Sequence, residues 1–147
     1  MNFTTRTVAS RNVFLDKDSN GSVRARLDLN FEPSTAGFLY GRQHAYIGPV
    51  SWLAPEAIES KKYTNASDSF SFGVFLWELV ARADPFEERS HVGVACPLIH
   101  KGLRLKVPED APQVFKDLMV ACFETEPEKR PSSEEIQKEL REYYDSL

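Results

Sequence analysis

Pro49-Val50-Ser51-Trp52-Leu53-Ala54-Pro55-Glu56 is the stretch on which the fold turns. It closes an irregular segment containing glycine and tyrosine, Phe38 to Gly48, and opens a run of apolar residues at helical spacing. A second cluster, Ser67-Asp68-Ser69-Phe70-Ser71-Phe72-Gly73, leads into the most apolar part of the chain. There Phe70, Val74, Phe75, Trp77 and Leu79 recur nearly all round a helix that continues through Val80. A helix that is apolar on every side has to lie at the centre of a fold, so residues 67–80 are expected to be its core helix. Asp84-Pro85-Phe86 is expected to end it.

Working upstream, Asn12-Val13-Phe14-Leu15-Asp16 reads as a short buried strand, and Ser22 to Leu27 as its antiparallel partner. Asn20-Gly21 between two such runs is a strong hairpin signal. Residues 28–53 carry no sustained period, and a loop that long is expected to carry function or to move. Downstream, residues 90–101 suggest a helix broken by Pro97. Val114, Phe115, Leu118, Met119 and Cys122 give an amphipathic helix between Pro112 and Phe123. A last helix begins at Pro131-Ser132-Ser133-Glu134-Glu135, where serine followed three residues later by glutamate forms a capping box. Ile136, Leu140 and Tyr143/Tyr144 supply its apolar face. The order is one hairpin, a long loop, then four or five helices, so the fold class is mainly α.

Composition sets the bounds. The 147 residues suffice for one domain with a real core. Apolar content of 41% and charged content of 27% fit an ordinary globular protein. A net charge of −4 argues against nucleic acid or an anionic membrane as the main partner. Cys96 and Cys122 lie far apart without C-x-x-C spacing, as reduced thiols of an intracellular protein would. The longest strongly apolar stretch, Phe72 to Val80, is too short to span a bilayer and contains Glu78. With no signal-peptide pattern at the N-terminus, the expected location is the cytoplasm, or the cytoplasmic part of a truncated receptor. His44, His91 and His100 share no metal-ligand spacing.

Five motifs then follow one another in order. Thr5-Arg6-Thr7-Val8-Ala9-Ser10-Arg11-Asn12 resembles the protein-kinase catalytic loop, H-R-D-L-x-x-x-N. Asp28-Leu29-Asn30 stands at the D-F-G place, Ala54-Pro55-Glu56 matches A-P-E, and Ser67-Asp68 matches the start of the family's central helix. Cys122-Phe123, Pro127, Arg130-Pro131 and Ile136 resemble the C-W-x-x-x-P-x-x-R-P-x-F-x-E-I ending of tyrosine kinases, and Pro49-Val50-Ser51-Trp52 looks like their substrate-side loop. Any one alone is weak; together, over nearly the whole of residues 1–147, they resemble the C-terminal lobe of a protein kinase domain, closest to the tyrosine-kinase group. The implied fold is that helical lobe with a small β-hairpin, truncated before the catalytic loop.

The resemblance implies roles residue by residue. Kinases work by positioning and by neutralising charge. The base of the catalytic loop falls on Thr7, an uncharged alcohol that accepts no proton near neutral pH; losing a positioned base costs about 10²–10⁴-fold. Thr5 stands where the family has histidine. Arg11 and Asn12 belong to the same loop. Asn12 and Asp28 are the implied Mg²⁺-holding positions; the plainer reading of Asp28 is a turn residue after a strand. Leu29 keeps an apolar plug, and Asn30 tolerates positive φ better than most residues. Phe14, with Phe75 and Leu79, is expected beneath the place of the adenine, as core rather than as a ligand contact.

Glu56 and Arg130 are implied to form a buried ion pair, against a plainer reading as two surface charges. Asp68 is implied to cap the catalytic-loop backbone, or reads as an ordinary residue near a helix N-cap. Tyr40 is a candidate phosphosite, with Arg6 and Arg11 to meet the phosphate, or else an exposed loop tyrosine; Tyr46 is a weaker second. No G-x-G-x-x-G and no V-A-I-K occur in the chain. ATP and Mg²⁺ therefore enter only through the resemblance, with weak or no binding expected from this polypeptide. The expected function is a kinase-like interaction module with impaired catalysis, its partners proteins. The alternative is a tyrosine kinase that transfers the ATP γ-phosphate to protein tyrosine and whose N-lobe lies outside this chain.

Overall fold

Asn20-Gly21 turns the chain as its sequence demands. Gly21 has φ of 84°, a conformation open to glycine and strained for most other residues. The Asp18 side chain accepts from the backbone N–H groups of Asn20 and Ser22, both at 2.9 Å. Strands β1 (Val13–Lys17) and β2 (Val23–Leu27) pair antiparallel, Val13 opposite Leu27 and Lys17 opposite Val23. This is a computed structural model, describing Thr5, residues 8–27 and residues 50–147.

The expected burial of β1 is corrected. Phe14 is 49% exposed and Leu15 is exposed as well. Strand formation requires only a backbone partner and compatible side chains, and no third layer covers this pair among the described residues. The Asp16–Arg26 ion pair, 3.1 Å on the exposed sheet face, adds little.

Five α-helices follow among the described residues: α1 (Pro55–Ser60), α2 (Asn65–Ala81), α3 (His91–His100), α4 (Gln113–Cys122) and α5 (Ser133–Asp145). The mainly helical fold with one small hairpin is as expected. Helix α2 is central, but it starts earlier than its apolar pattern. Thr64 is its N-cap: the hydroxyl accepts from Ser67 N–H at 3.2 Å, and Ser67 Oγ accepts from Thr64 N–H at 2.8 Å. It ends at Ala81, one residue past the expected Val80, where Arg82 in the left-handed region (φ 52°) donates its N–H to Glu78 O at 2.8 Å. Asp84-Pro85-Phe86 lies beyond that cap. Nor is α2 buried all round: Leu79 is 52% exposed, so Phe14, Phe75 and Leu79 do not form the buried stack expected of them.

Helix α3 runs through Pro97 without a break. The Pro97 carbonyl accepts from both Lys101 N–H (2.9 Å) and Leu103 N–H (3.1 Å), which closes the helix end behind the proline. Helix α4 crosses α2 where Gly73 removes a side chain; a Cβ there would stand 2.6 Å from Cys122 Cβ. The core around this crossing is Val74, Leu76, Leu98, Leu118, Met119 and Cys122. Helix α5 begins on the capping box read from its sequence, Ser132 N–H donating to Glu135 Oε2 at 2.7 Å and Glu135 N–H to Ser132 Oγ at 3.3 Å. The backbone N–H and hydroxyl of Ser132 hold the Glu135 carboxyl below the usual carboxylate range. Ile136 is buried, and Tyr143 meets Phe115 edge-on at 5.6 Å, but Tyr144 is exposed. Its place on the apolar face is explained by a groove of about 860 Å³ between α2 and α5, lined in part by Phe72, Ile136, Leu140 and Tyr144.

Burial pushes the Cys122 thiol up to about 12, whereas Cys96 on α3 is exposed. Only a thiolate attacks a disulfide reagent. Titration of the native protein with Ellman's reagent at pH 8 is expected to count one thiol, and in denaturant two. Two fast thiols in the native state would contradict the packing of α4 on α2.

Candidate functional site

Helix α2 carries polar groups that reach both flanking segments, and these contacts build the site. At its N-terminal end Asp68 Oδ2 accepts from Thr5 N–H at 2.5 Å. Three residues on, Ser71 Oγ donates to the Trp52 carbonyl at 2.7 Å. Two residues earlier than that, Ser69 Oγ donates to the Pro131 carbonyl at 2.7 Å. Serine hydroxyls in a helix normally bond back to the carbonyl four residues earlier. Ser69 and Ser71 do that too, so each hydroxyl contacts two backbone carbonyls.

Near the other end of α2, Glu78 gathers two segments. Ala9 is buried, and a 3-10 turn over Ser10–Asn12 closes with Asn12 N–H donating to Ala9 O at 2.9 Å. Ser10 donates twice to Glu78, from its N–H (2.9 Å to Oε2) and its hydroxyl (2.7 Å to Oε1). Trp52, in the 3-10 turn Val50–Trp52, donates its indole N–H to Oε2 at 2.8 Å. The Arg11 guanidinium lies 4.3 Å from the centre of the Trp52 ring. A polar cavity of about 450 Å³ opens beside this cluster, bordered by Ser10, Glu78, Arg82, Asp84 and Glu87.

Glu56 and Arg130 form the second anchor. Their contact is bidentate, Nη1 to Oε1 at 2.6 Å and Nη2 to Oε2 at 3.0 Å. The Arg130 side chain is fully buried, and carbonyls of Glu124 (2.9 Å), Ala66 (3.0 Å) and Thr125 (3.4 Å) take its remaining donor directions. Two guanidinium groups approach the Phe70 ring, Arg130 at 5.1 Å and Arg104 at 5.4 Å from its centre. Burial, and then the neighbouring charge of Arg130, lower the Arg104 pKa.

The structure thus brings together Thr5 with Asp68, Arg11 with Trp52, and Glu56 with Arg130. Thr7, Asp28 and Tyr40 lie outside the described residues, as do Arg6, Leu29, Asn30 and Tyr46. Asn12 is placed, half-buried at the end of its turn. Phe14 sits apart on the exposed hairpin. Among the described residues no group of three or more His, Cys, Asp or Glu side chains is arranged to hold a metal. No helix among them is long and apolar enough to cross a membrane.

Glu78 is the functional residue that sequence reading overlooked. Its signal was present: an acid inside the apolar run Phe72 to Val80 can be buried only if donors come to it.

Residues 1–140 match the family model described as "Protein tyrosine and serine/threonine kinase". The chain is 30% identical over 142 residues to a "Probable LIM domain-containing serine/threonine-protein kinase" of Dictyostelium discoideum, covering 97% of this chain and 21% of that protein. It is 33% identical over 109 residues to human "Tyrosine-protein kinase FRK", covering 74% of this chain and 21% of that one. To "Mitogen-activated protein kinase kinase kinase 7" of Drosophila melanogaster it is 39% identical over 89 residues, or 60% of this chain and 13% of the relative. The chain therefore spans only about a fifth or less of the length of these curated relatives, which include tyrosine and serine/threonine kinases alike. A match over residues 1–140, on a helical fold whose anchors fall at the motif positions, makes this chain a member of the protein tyrosine and serine/threonine kinase family.

Proposed function

We propose that this chain is a catalytically impaired, pseudokinase-like part of a kinase domain, acting in the cytoplasm as a protein-interaction and regulatory module. The observation that carries the reading is Thr7 at the place of the catalytic base, in a chain whose structural anchors are kept. A hydroxyl neither accepts the substrate proton at neutral pH nor carries the charge that orients the substrate. Asn12 and Asp28 remain as amide and carboxylate of the types that hold Mg²⁺ in the family. They would hold the ion, and the ion would neutralise phosphate charge, without replacing the base. The residues do not supply a glycine-rich cover or a phosphate-binding lysine within these 147 positions, so binding of Mg-ATP by this polypeptide is weak.

Affinity to the tyrosine-kinase group rests on Pro49-Val50-Ser51-Trp52 and on the Cys122 to Ile136 ending. On this reading the segment that the buried Trp52 anchors, held by Glu78, Arg11 and Ser71, is the one that meets a polypeptide. Tyr40 is the proposed phosphorylation site.

The test is phosphoryl transfer from Mg-ATP to a poly-Glu-Tyr substrate, beside a Thr7→Asp variant of the full-length form. The native protein is expected to give no transfer above a no-enzyme blank, and millimolar Mg-ATP is expected to leave its Tm unchanged. Transfer restored only by the aspartate supports the impaired reading. Transfer by the native chain overturns it.

A further inference from the structure

We infer that Glu78 is a positioning residue that makes the Ser10–Asn12 turn and the Val50–Trp52 turn one mechanical unit, with the Ser10 hydroxyl as its bolt. The inference rests on the reading that the segment anchored by Trp52 meets a polypeptide.

Glu78 is 7% exposed, and a carboxylate so placed needs donors for its lone pairs. It has three, and they do not come from its own helix. Two belong to Ser10, 68 residues earlier in the chain, and one to Trp52, 26 residues earlier. One oxygen, Oε2, accepts from both segments at once, at 2.9 Å from Ser10 N and 2.8 Å from Trp52 Nε1. Neither turn can shift by much without pulling the carboxylate off the other. Arg11 adds a direct contact from the first turn to the ring of the second, at 4.3 Å. Ser71 fixes the Trp52 carbonyl from the same helix. The residues joined in this way are those that matter to the proposed site: Asn12 ends the first turn, and the buried Trp52 anchors the second.

A glutamate that served only the core would be replaceable by an apolar residue of like size. A positioning glutamate transmits a disturbance from one turn to the other. Each turn holds a reporter amide: Asn12 N–H, bonded to Ala9 O at 2.9 Å, and Leu53 N–H, bonded to Val50 O at 3.1 Å. Ile136 N–H, bonded to Ser132 O at 3.0 Å on α5, is the remote control.

Amide hydrogen exchange of the full chain tests the inference, with three variants. Ser10→Ala is expected to speed exchange at Leu53, and Trp52→Phe to speed exchange at Asn12, each about tenfold as one charge-assisted hydrogen bond is lost. Glu78→Gln, which offers one acceptor oxygen for donors now shared over two, is expected to speed both. Ile136 should be unchanged throughout. If Glu78→Gln fails to fold, the other two variants still decide. Effects confined to the turn that carries the substitution overturn the inference, and so does a rise that includes Ile136, since that is global destabilisation. No nucleotide or partner enters the measurement, so it can fail or succeed independently of the proposed function.

Discussion

Arg130→Ala is expected to cost about 3–5 kcal/mol of stability, because it leaves the Glu56 carboxylate and three carbonyls without their donor. Typical domains have only about 5–15 kcal/mol in total, so the variant sits near the edge of folding. On a chain of this size the loss corresponds to a fall in Tm of about 6–20 °C. Arg130→Lys should recover only part of it. A lysine brings the charge but not the fork that meets both Glu56 oxygens while Nε and the second faces of Nη1 and Nη2 reach Glu124, Ala66 and Thr125. Urea unfolding of the three proteins checks this. A loss below about 1 kcal/mol, the range of solvent-exposed pairs, would mean that the contact is ornamental rather than structural.

Gly73→Ala is the second large effect, and here two principles oppose each other. Alanine is the better helix former by about 1 kcal/mol, so in an open helix the change stabilises. At this crossing the new Cβ would lie 2.6 Å from Cys122 Cβ and 3.0 Å from Phe123 Cε1. Cys122 Cβ is fixed to the backbone of α4, so relief requires the helices to separate. Overpacking of this kind costs about 1–3 kcal/mol or more and should outweigh propensity. A net loss of about 2 kcal/mol in a denaturant midpoint is the expected result. Adding Cys122→Ala should bring no relief, because it keeps the offending carbon. A stabilised Gly73→Ala protein would show that α2 and α4 are farther apart than described.

Those two positions also measure how far the sequence could be read. Arg130 and Glu56 were assigned to each other through motif resemblance, and the structure places them in bidentate contact. The Ser132–Glu135 box and the Asn20-Gly21 turn were readable because their chemistry is local: the donor, the acceptor and the required φ lie within a few residues. Burial was less readable because it depends on what covers a surface. Val13 to Lys17 has strand character, yet Phe14 and Leu15 are exposed because pairing with β2 supplies no cover. The start of α2 was placed too late because Thr64 is answered by Ser67, not by the Glu or Gln of the usual box. Its end at Ala81 falls within one residue of the apolar run, but what stops it is Arg82 at φ 52°, which leaves no mark in composition, rather than the conspicuous breaker Pro85. Glu78 was passed over because acids in apolar runs ordinarily read as solvent-facing. Its donors sit at distances along the chain that periodicity does not sample.

The reach of Arg130 has a consequence for how this polypeptide is made. Glu56 leaves the ribosome 74 residues before the guanidinium that neutralises it. At about 5–20 residues per second that is an interval of about 4–15 s. Through that interval the nascent segment around Trp52 and the following helix lacks its final lock. Quality-control factors meet the half-made protein in that window, and a premature stop codon anywhere ahead of residue 130 would leave the window permanently open.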